Sequence, residues 1–192
     1  MCESDHPRET MWLYRVLETL MEFQRSRRGL DELRDRLTPL AWAEGVPEAA
    51  SFAEGENRFR RHPLASVEAI GCSALLMYWP PGHATLPHDH GGLWGIEVVL
   101  DGALDVEEYV RSGSADAPAL TYARSLSLRT GDSAMFASRD YVHRCRNLSN
   151  VAPTLTLHVY GGVLDTYTSF DRDAAGRLGA YVQVARSDRT LS

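Results

Sequence analysis

The chain has 192 residues, 44% hydrophobic and 24% charged, which suits a soluble globular protein with one domain and a real core. Its net charge of −6, with no basic block, speaks against a nucleic-acid backbone as partner. Apolar runs such as residues 74–79 fall far short of the roughly 20 residues of a membrane span, and the polar start MCESDHPRET carries no apolar leader, so a cytoplasmic protein is expected.

Cys2, Cys72 and Cys145 show no CxxC spacing and are expected to be reduced rather than a disulfide framework or a thiolate zinc site. Residues 8–37 read as helical, because Trp12, Leu13, Val16, Leu17, Leu20, Met21 and Phe23 recur near the helical period. A second helix is predicted over residues 30–37, stopped before Pro39, and residues 44–57 read as a loop or short helix. From Ser66 to Tyr160 the pattern turns short and strand-like. Residues 74–79 form a buried strand closed by Pro80-Pro81-Gly82. Residues 95–100 and 103–110 flank Asp101-Gly102, which predicts a hairpin with a type I′ turn. SGSADAPA reads as a flexible loop, and strands follow around Leu126 and Leu128 and over 133–136, 142–148 and 154–160. The expected fold is all-β, a barrel or jelly roll (residues 59–192), with a small N-terminal helical cap (residues 1–58) packing on it as part of one structural domain.

Side chains two apart on a strand share a face, so His88 and His90 aim together while Asp89 faces away. In VHRCRN, His143 and Cys145 share a face opposite Arg144 and Arg146. In TLTLHVY, Thr156, His158 and Tyr160 oppose the aliphatic Leu155, Leu157 and Val159. An inward row of Thr, His and Tyr is costly unless hydrogen-bonded or set against a wet cavity, so it marks a functional site rather than packing.

Gly82, His88-x-His90 and Gly102, then Gly131 and His143-x3-Asn147, resemble the two motifs of the cupins. The acidic ligand expected four or five residues after the second histidine is replaced by Trp94 and Gly95, leaving a three-histidine set with open positions. Residues 59–171 further resemble the cysteine dioxygenase group of thiol dioxygenases, through HDHGGLWG, VVLDGAL, VHRCRN and LTLHVYGGVLDTYTSFD. The resemblance implies a cupin β-barrel with non-haem Fe(II) held by His88, His90 and His143. It implies Thr156, His158 and Tyr160 as the hydroxyl-imidazole-phenol relay, Thr156 standing where the group has Ser. The reaction implied adds O2 to a thiolate to give a sulfinate, with a small thiol and O2 as partners and no nucleic acid or membrane. The oligomeric state is left open, a monomer included.

Two departures bear on this reading. Gly95 stands where animal-type members carry a cysteine crosslinked to the tyrosine, so no crosslink is expected, as in bacterial-type members. The segment Phe59-Arg60-Arg61-His62 stands where cysteine-type enzymes have Y-x-R-N. Arg61 fits as the carboxylate anchor, but Phe59 lacks the hydroxyl. No arginine follows HVYG before Arg172, where 3-mercaptopropionate-type enzymes have one, so cysteine is placed slightly ahead. His62 and His83 read as loop histidines, Cys145 as a small buried hydrophobe, and Trp79 and Trp94 as core or cavity wall. Glu97 reads as an edge residue or a partner to a ligand rather than a displaced ligand. A rival of another class is a non-catalytic cupin that binds a small molecule.

Overall fold

The structure, a computed structural model, describes residues 6–26, 28–53, 58–65 and 70–186. Cys2, Ser66 and residues 54–57 of the expected loop lie outside them. Helix α1 (His6–Arg25) and helix α2 (Leu30–Leu37) fall where the periodicity puts them, followed by short 3-10 turns at Thr38–Trp42 and Ala49–Phe52. Among the described residues, no helix is long and apolar enough to cross a membrane.

The strands are β1 (Arg60–Ala65), β2 (Ser73–Trp79), β3 (Gly95–Asp101), β4 (Ala103–Gly113) and β5 (Pro118–Arg129). They continue with β6 (Ser133–Phe136), β7 (Tyr141–Asn147), β8 (Thr154–Tyr160), β9 (Thr166–Arg172) and β10 (Leu178–Val184). One sheet runs β1-β2-β8-β3-β6 and a second runs β5-β4-β7, while β9 and β10 pair with each other, all antiparallel. The segment 83–89 joins β7 to β9. Backbone bonds His88 N to His143 O (2.8 Å), His143 N to His88 O (3.0 Å) and Asn147 N to His83 O (2.9 Å) tie it to β7. Asp89 N to Thr168 O (2.9 Å) and Phe170 N to Pro87 O (2.8 Å) tie it to β9. The expected all-β architecture of antiparallel sheets with a small N-terminal helical cap is what the chain adopts.

The alternation along β8 has a direct cause. Leu155, Leu157 and Val159 point outward to a core shared with Trp12, Val16, Leu20, Leu33 and Leu37 of the helices and Leu76, Ile96 and Val98 of the sheet. Each such aliphatic side chain is worth about 1.5–3 kcal/mol of burial. Thr156, His158 and Tyr160 point the other way, into the barrel with Met77, Trp79, Val99, Phe136 and Cys145. The helices thus let both faces of the sheet be buried, and the polar row is free to serve the interior.

Four expectations are corrected. The strands flanking Asp101-Gly102 are not a hairpin, since β3 and β4 belong to different sheets. Gly102 has φ +93° but Asp101 does not have positive φ, so the turn is not type I′ and instead carries the chain across the barrel. SGSADAPA is a loop only over residues 114–117, because backbone pairing continues through Ser112↔Ala119 and Gly113↔Pro118. Strands β1, β9 and β10 extend the set beyond residues 66–160. Lastly, His62 sits within β1 rather than in a loop. His88 does pair as a strand would, through bridges to His143 and Ser169, whereas His90 lies outside any strand at the start of a turn. Gly91 (φ +61°) and Gly92 (φ +82°) then turn the backbone towards β3, a conformation glycine adopts without strain.

Candidate metal centre and its cavity

Three imidazoles converge inside the barrel. His88 and His143 face each other across an antiparallel bridge, and His90 follows two residues after His88. One nitrogen from each lies within 4.8 Å of the others. His90 and His143 are buried and His88 is partly exposed. His88 Nδ1 is 2.9 Å from Leu86 O, which makes Nδ1 the protonated nitrogen and leaves the Nε2 lone pair available. His143 Nδ1 lies 3.1 Å from Glu97 Oε1 and 3.4 Å from the Tyr141 hydroxyl, so its Nε2 is likewise the available donor. The buried Nδ1 of His90 has no hydrogen-bond partner among the described residues, and its ring stacks on Phe136 at 4.3 Å.

Electrostatics favour lone pairs here. Burial, reinforced by the neighbouring His143, holds His88 down to about 3 and His90 well below the ordinary imidazole value. Glu97 is 1% exposed; burial pushes its carboxyl up, but the adjacent His143 outweighs this and holds it down at about 2. The Cys145 thiol is pushed well up by burial and by the Glu97 carboxylate, which it approaches at 3.8 Å. It stays a thiol. Three converging imidazoles, two of them buried, with available Nε2 lone pairs and one orphaned buried nitrogen fit a divalent first-row metal.

The polar row of β8 forms a hydrogen-bonded chain beside this centre. Trp79 Nε1–H donates to Thr156 Oγ1 at 2.8 Å. Thr156 Oγ1 lies 2.8 Å from His158 Nε2 and 3.4 Å from Met77 O, so its proton goes to the nearer imidazole nitrogen. His158 Nδ1 then carries the ring proton and donates to the Tyr160 oxygen at 3.2 Å. The phenolic O–H is left for a guest in the cavity. Burial lowers His158 to about 4, so the ring is neutral. Burial raises Tyr160 above the ordinary phenol range, with Arg61 opposing, so the phenol keeps its proton.

A cavity of about 340 Å³ opens on the centre, a size suited to a small ligand. Arg61, His88, His90, His143, His158 and Tyr160 line it, and Thr156 stands behind His158. Arg61, reaching in from β1, is 9% exposed. Sequence reasoning therefore named residues that come together, but it missed others. The wall formed by Tyr167, Ser169 and Gln183 comes from β9 and β10, which lie beyond the strands it counted. His83 lies outside the strands, as expected of a loop histidine, but it stacks on Phe59 at 5.0 Å and lines the cavity. The bond from Trp79 to Thr156 was also missed; the inward parity of Trp79 with Met77 on β2 was the available signal.

A family model described as cysteine dioxygenase type I matches residues 37–173. No curated protein matches the chain. Among solved structures, oxalate oxidase in complex with the substrate analogue glycolate is 18% identical at a TM-score of 0.42, over 57% of this chain and 54% of its own. A protein from Thermus thermophilus is 24% identical at a TM-score of 0.42, over 55% of this chain and 85% of its own. The cupin domain of Cnp3 from Schizosaccharomyces pombe is 11% identical at a TM-score of 0.43, over 57% and 66%. The chain spans about half the length of the oxalate oxidase it matches.

Proposed function

The chain belongs to the cysteine dioxygenase type I family, a family of thiol dioxygenases, and on that premise we propose that it oxidises a small thiol-bearing acid to the sulfinic acid at an Fe(II) centre, with cysteine slightly favoured. The observation that carries the reading is one cavity onto which both the three-histidine set and the Thr156–His158–Tyr160 chain open. His88, His90 and His143 would hold the iron. Fe(II) bound there would bring thiol and O2 together and keep the sulfur as thiolate. Both atoms of O2 add to sulfur, so the substrate sulfur is itself the reductant and no other co-reductant is consumed.

The protein's own groups do the rest. Arg61 is a fixed guanidinium on the cavity wall and can hold a substrate carboxylate through two parallel N–H bonds. Holding the carboxylate orients the thiol at the other end of a short molecule. Tyr160 presents its phenolic O–H, kept protonated and aimed by His158, to the developing charge on oxygen or sulfur. Thr156 and Trp79 hold His158 in the tautomer that makes this possible. Phe59, Trp79 and His83 form an aromatic wall that limits water.

A second reading is 3-mercaptopropionate or another small thiol without an amine. It is favoured by one feature: among the described residues lining the cavity none is acidic, so a substrate ammonium meets no carboxylate there. The test is oxygen uptake by Fe(II)-loaded protein with cysteine, 3-mercaptopropionate and cysteamine in parallel. Uptake matched by sulfinate supports the reaction class, and the best thiol identifies the substrate. No uptake with any thiol, despite bound iron, moves the reading to a binding cupin.

A further inference from the structure

Glu97 is an acid in a place that needs a reason. It lies on β3, opposite His158 on one side and Ala134 on the other, with its side chain inside the barrel beside Cys145 and 1% exposed. A buried carboxylate is costly unless it is paired and hydrogen-bonded. Its Oε2 takes the Cys145 thiol at 3.8 Å. Its buried Oε1 lies 3.1 Å from His143 Nδ1 as an ion-pair contact and has no aligned hydrogen bond among the described residues, so the nearest donor that could satisfy it is the His143 ring. Because His143 belongs to β7 in the other sheet, the contact crosses the barrel. The three histidines are also backed unequally. A neutral carbonyl backs His88, nothing among the described residues backs His90 Nδ1, and a carboxylate backs His143.

We propose that Glu97 is the acidic member of this metal centre, acting through His143 rather than on the metal. Its carboxylate accepts the Nδ1–H of His143, fixes the ring with Nε2 as the donor, and strengthens that donor by placing a negative charge behind it. The neutral three-histidine set thereby gains the charge that a carboxylate ligand would supply, while the open positions stay open. Two consequences follow: tighter binding of divalent metal, and a shift of bound iron toward the ferric state. Glu97 is a positioning residue, and this role rests on the three-histidine reading above.

The test uses the full chain, stripped of metal. Co(II) affinity is measured by competition with a chelator for the wild type, Glu97→Gln and Asp105→Asn. Asp105 is a second buried acid, bonded to Ser125 and not to His143, and serves as the control. Glu97→Gln is expected to bind Co(II) about 10–100-fold more weakly and to raise the midpoint potential of bound iron, with Asp105→Asn unchanged in both. Equal affinity and equal potential in Glu97→Gln overturn the inference. So does a thiolate-to-cobalt absorption band lost in Cys145→Ser, which would place the metal on the alternative group Glu97, His143 and Cys145. Should Glu97→Gln not fold, the zinc-loaded wild type carries the test. A carboxylate-bound Nδ1 proton of His143 resonates far downfield, and its absence overturns the inference. If the wild type binds no metal, or His88→Ala binds as well as wild type, the three-histidine reading fails instead.

Discussion

A Cβ placed on Gly95 would come within 2.2 Å of the ring tip of Phe136, and that same ring stacks on His90. The residue at 95 and the orientation of a candidate ligand are therefore linked through one phenyl ring. Gly95→Ala must displace Phe136 and is expected to destabilise the fold by about 1–3 kcal/mol through overpacking. It should weaken metal binding as well, and the pair Gly95→Ala with Phe136→Leu should recover much of both. Melting and Co(II) titration of the single and double variants check this; a double variant no better than the single contradicts it.

Tyr160→Phe removes the hydroxyl at the end of the β8 chain without touching the three histidines. Iron content should match wild type, and turnover should fall about 100-fold, within the range of a positioned proton donor. Metal analysis alongside oxygen uptake decides the matter, and an unchanged rate rules out a role for the phenol.

Thr156→Val keeps the shape of the side chain but strands the Trp79 N–H and the His158 ring nitrogen. Leaving a buried polar group unsatisfied costs about 1–3 kcal/mol. Thr156→Ser keeps the hydroxyl and should behave like wild type. Urea unfolding and turnover are measured for both; equal stability of the two variants would dismiss the bond network.

Arg61→Ala is expected to raise KM for a thiol acid about 10–100-fold, the loss of a charge-assisted contact of about 1.5–3 kcal/mol. Cysteamine, which has no carboxylate, should be nearly indifferent. Equal effects on the two substrates would remove the anchor role.

Acid should weaken the metal-free protein before it reaches ordinary carboxylate values. His158 titrates at about 4 and His90 well below normal when folded, against about 6.5 when unfolded, burial being the main cause in both. As pH falls below 6.5 the unfolded chain takes up these protons and the folded chain does not. Stability is thus unaffected above 6.5 and is lost from 6.5 down to about 4, at about 1.4 kcal/mol per pH unit for each histidine. Urea midpoints between pH 7 and pH 4.5 measure it, and a flat profile contradicts it.

The elements legible in the sequence are those whose two faces meet different surroundings. Strand β8 was legible to the residue because Leu155, Leu157 and Val159 meet the helices while Thr156, His158 and Tyr160 meet the cavity. Helix α1 was legible because one stripe is buried. Strand β10 was not, since its side chains are mostly exposed and give no apolar alternation. The Asp101-Gly102 dipeptide announced a turn correctly but could not say which sheet the next strand joins, a choice made by distant partners. Of the segment 83–89 only the end at His88 read as strand, for a related reason: backbone pairing to β7 and β9, not side-chain pattern, makes the rest strand-like. The site residues fared better than the fold around them because their chemistry is conspicuous: His, Thr and Tyr on one inward face have few packing explanations.

The antiparallel bridge between His88 and His143 has a consequence for folding. Side chains directly opposite each other share a face, and a slip of a single residue puts them on opposite faces. A slip there would leave one imidazole in the barrel and turn the other out, with Asp89 or Arg144 brought inward in its place. An ion held by both rings is thus a lock on strand alignment, rewarding one register among its competitors and tying the first ligand segment to a strand more than fifty residues later in the chain. Metal occupancy and correct pairing at the heart of the barrel become a single event.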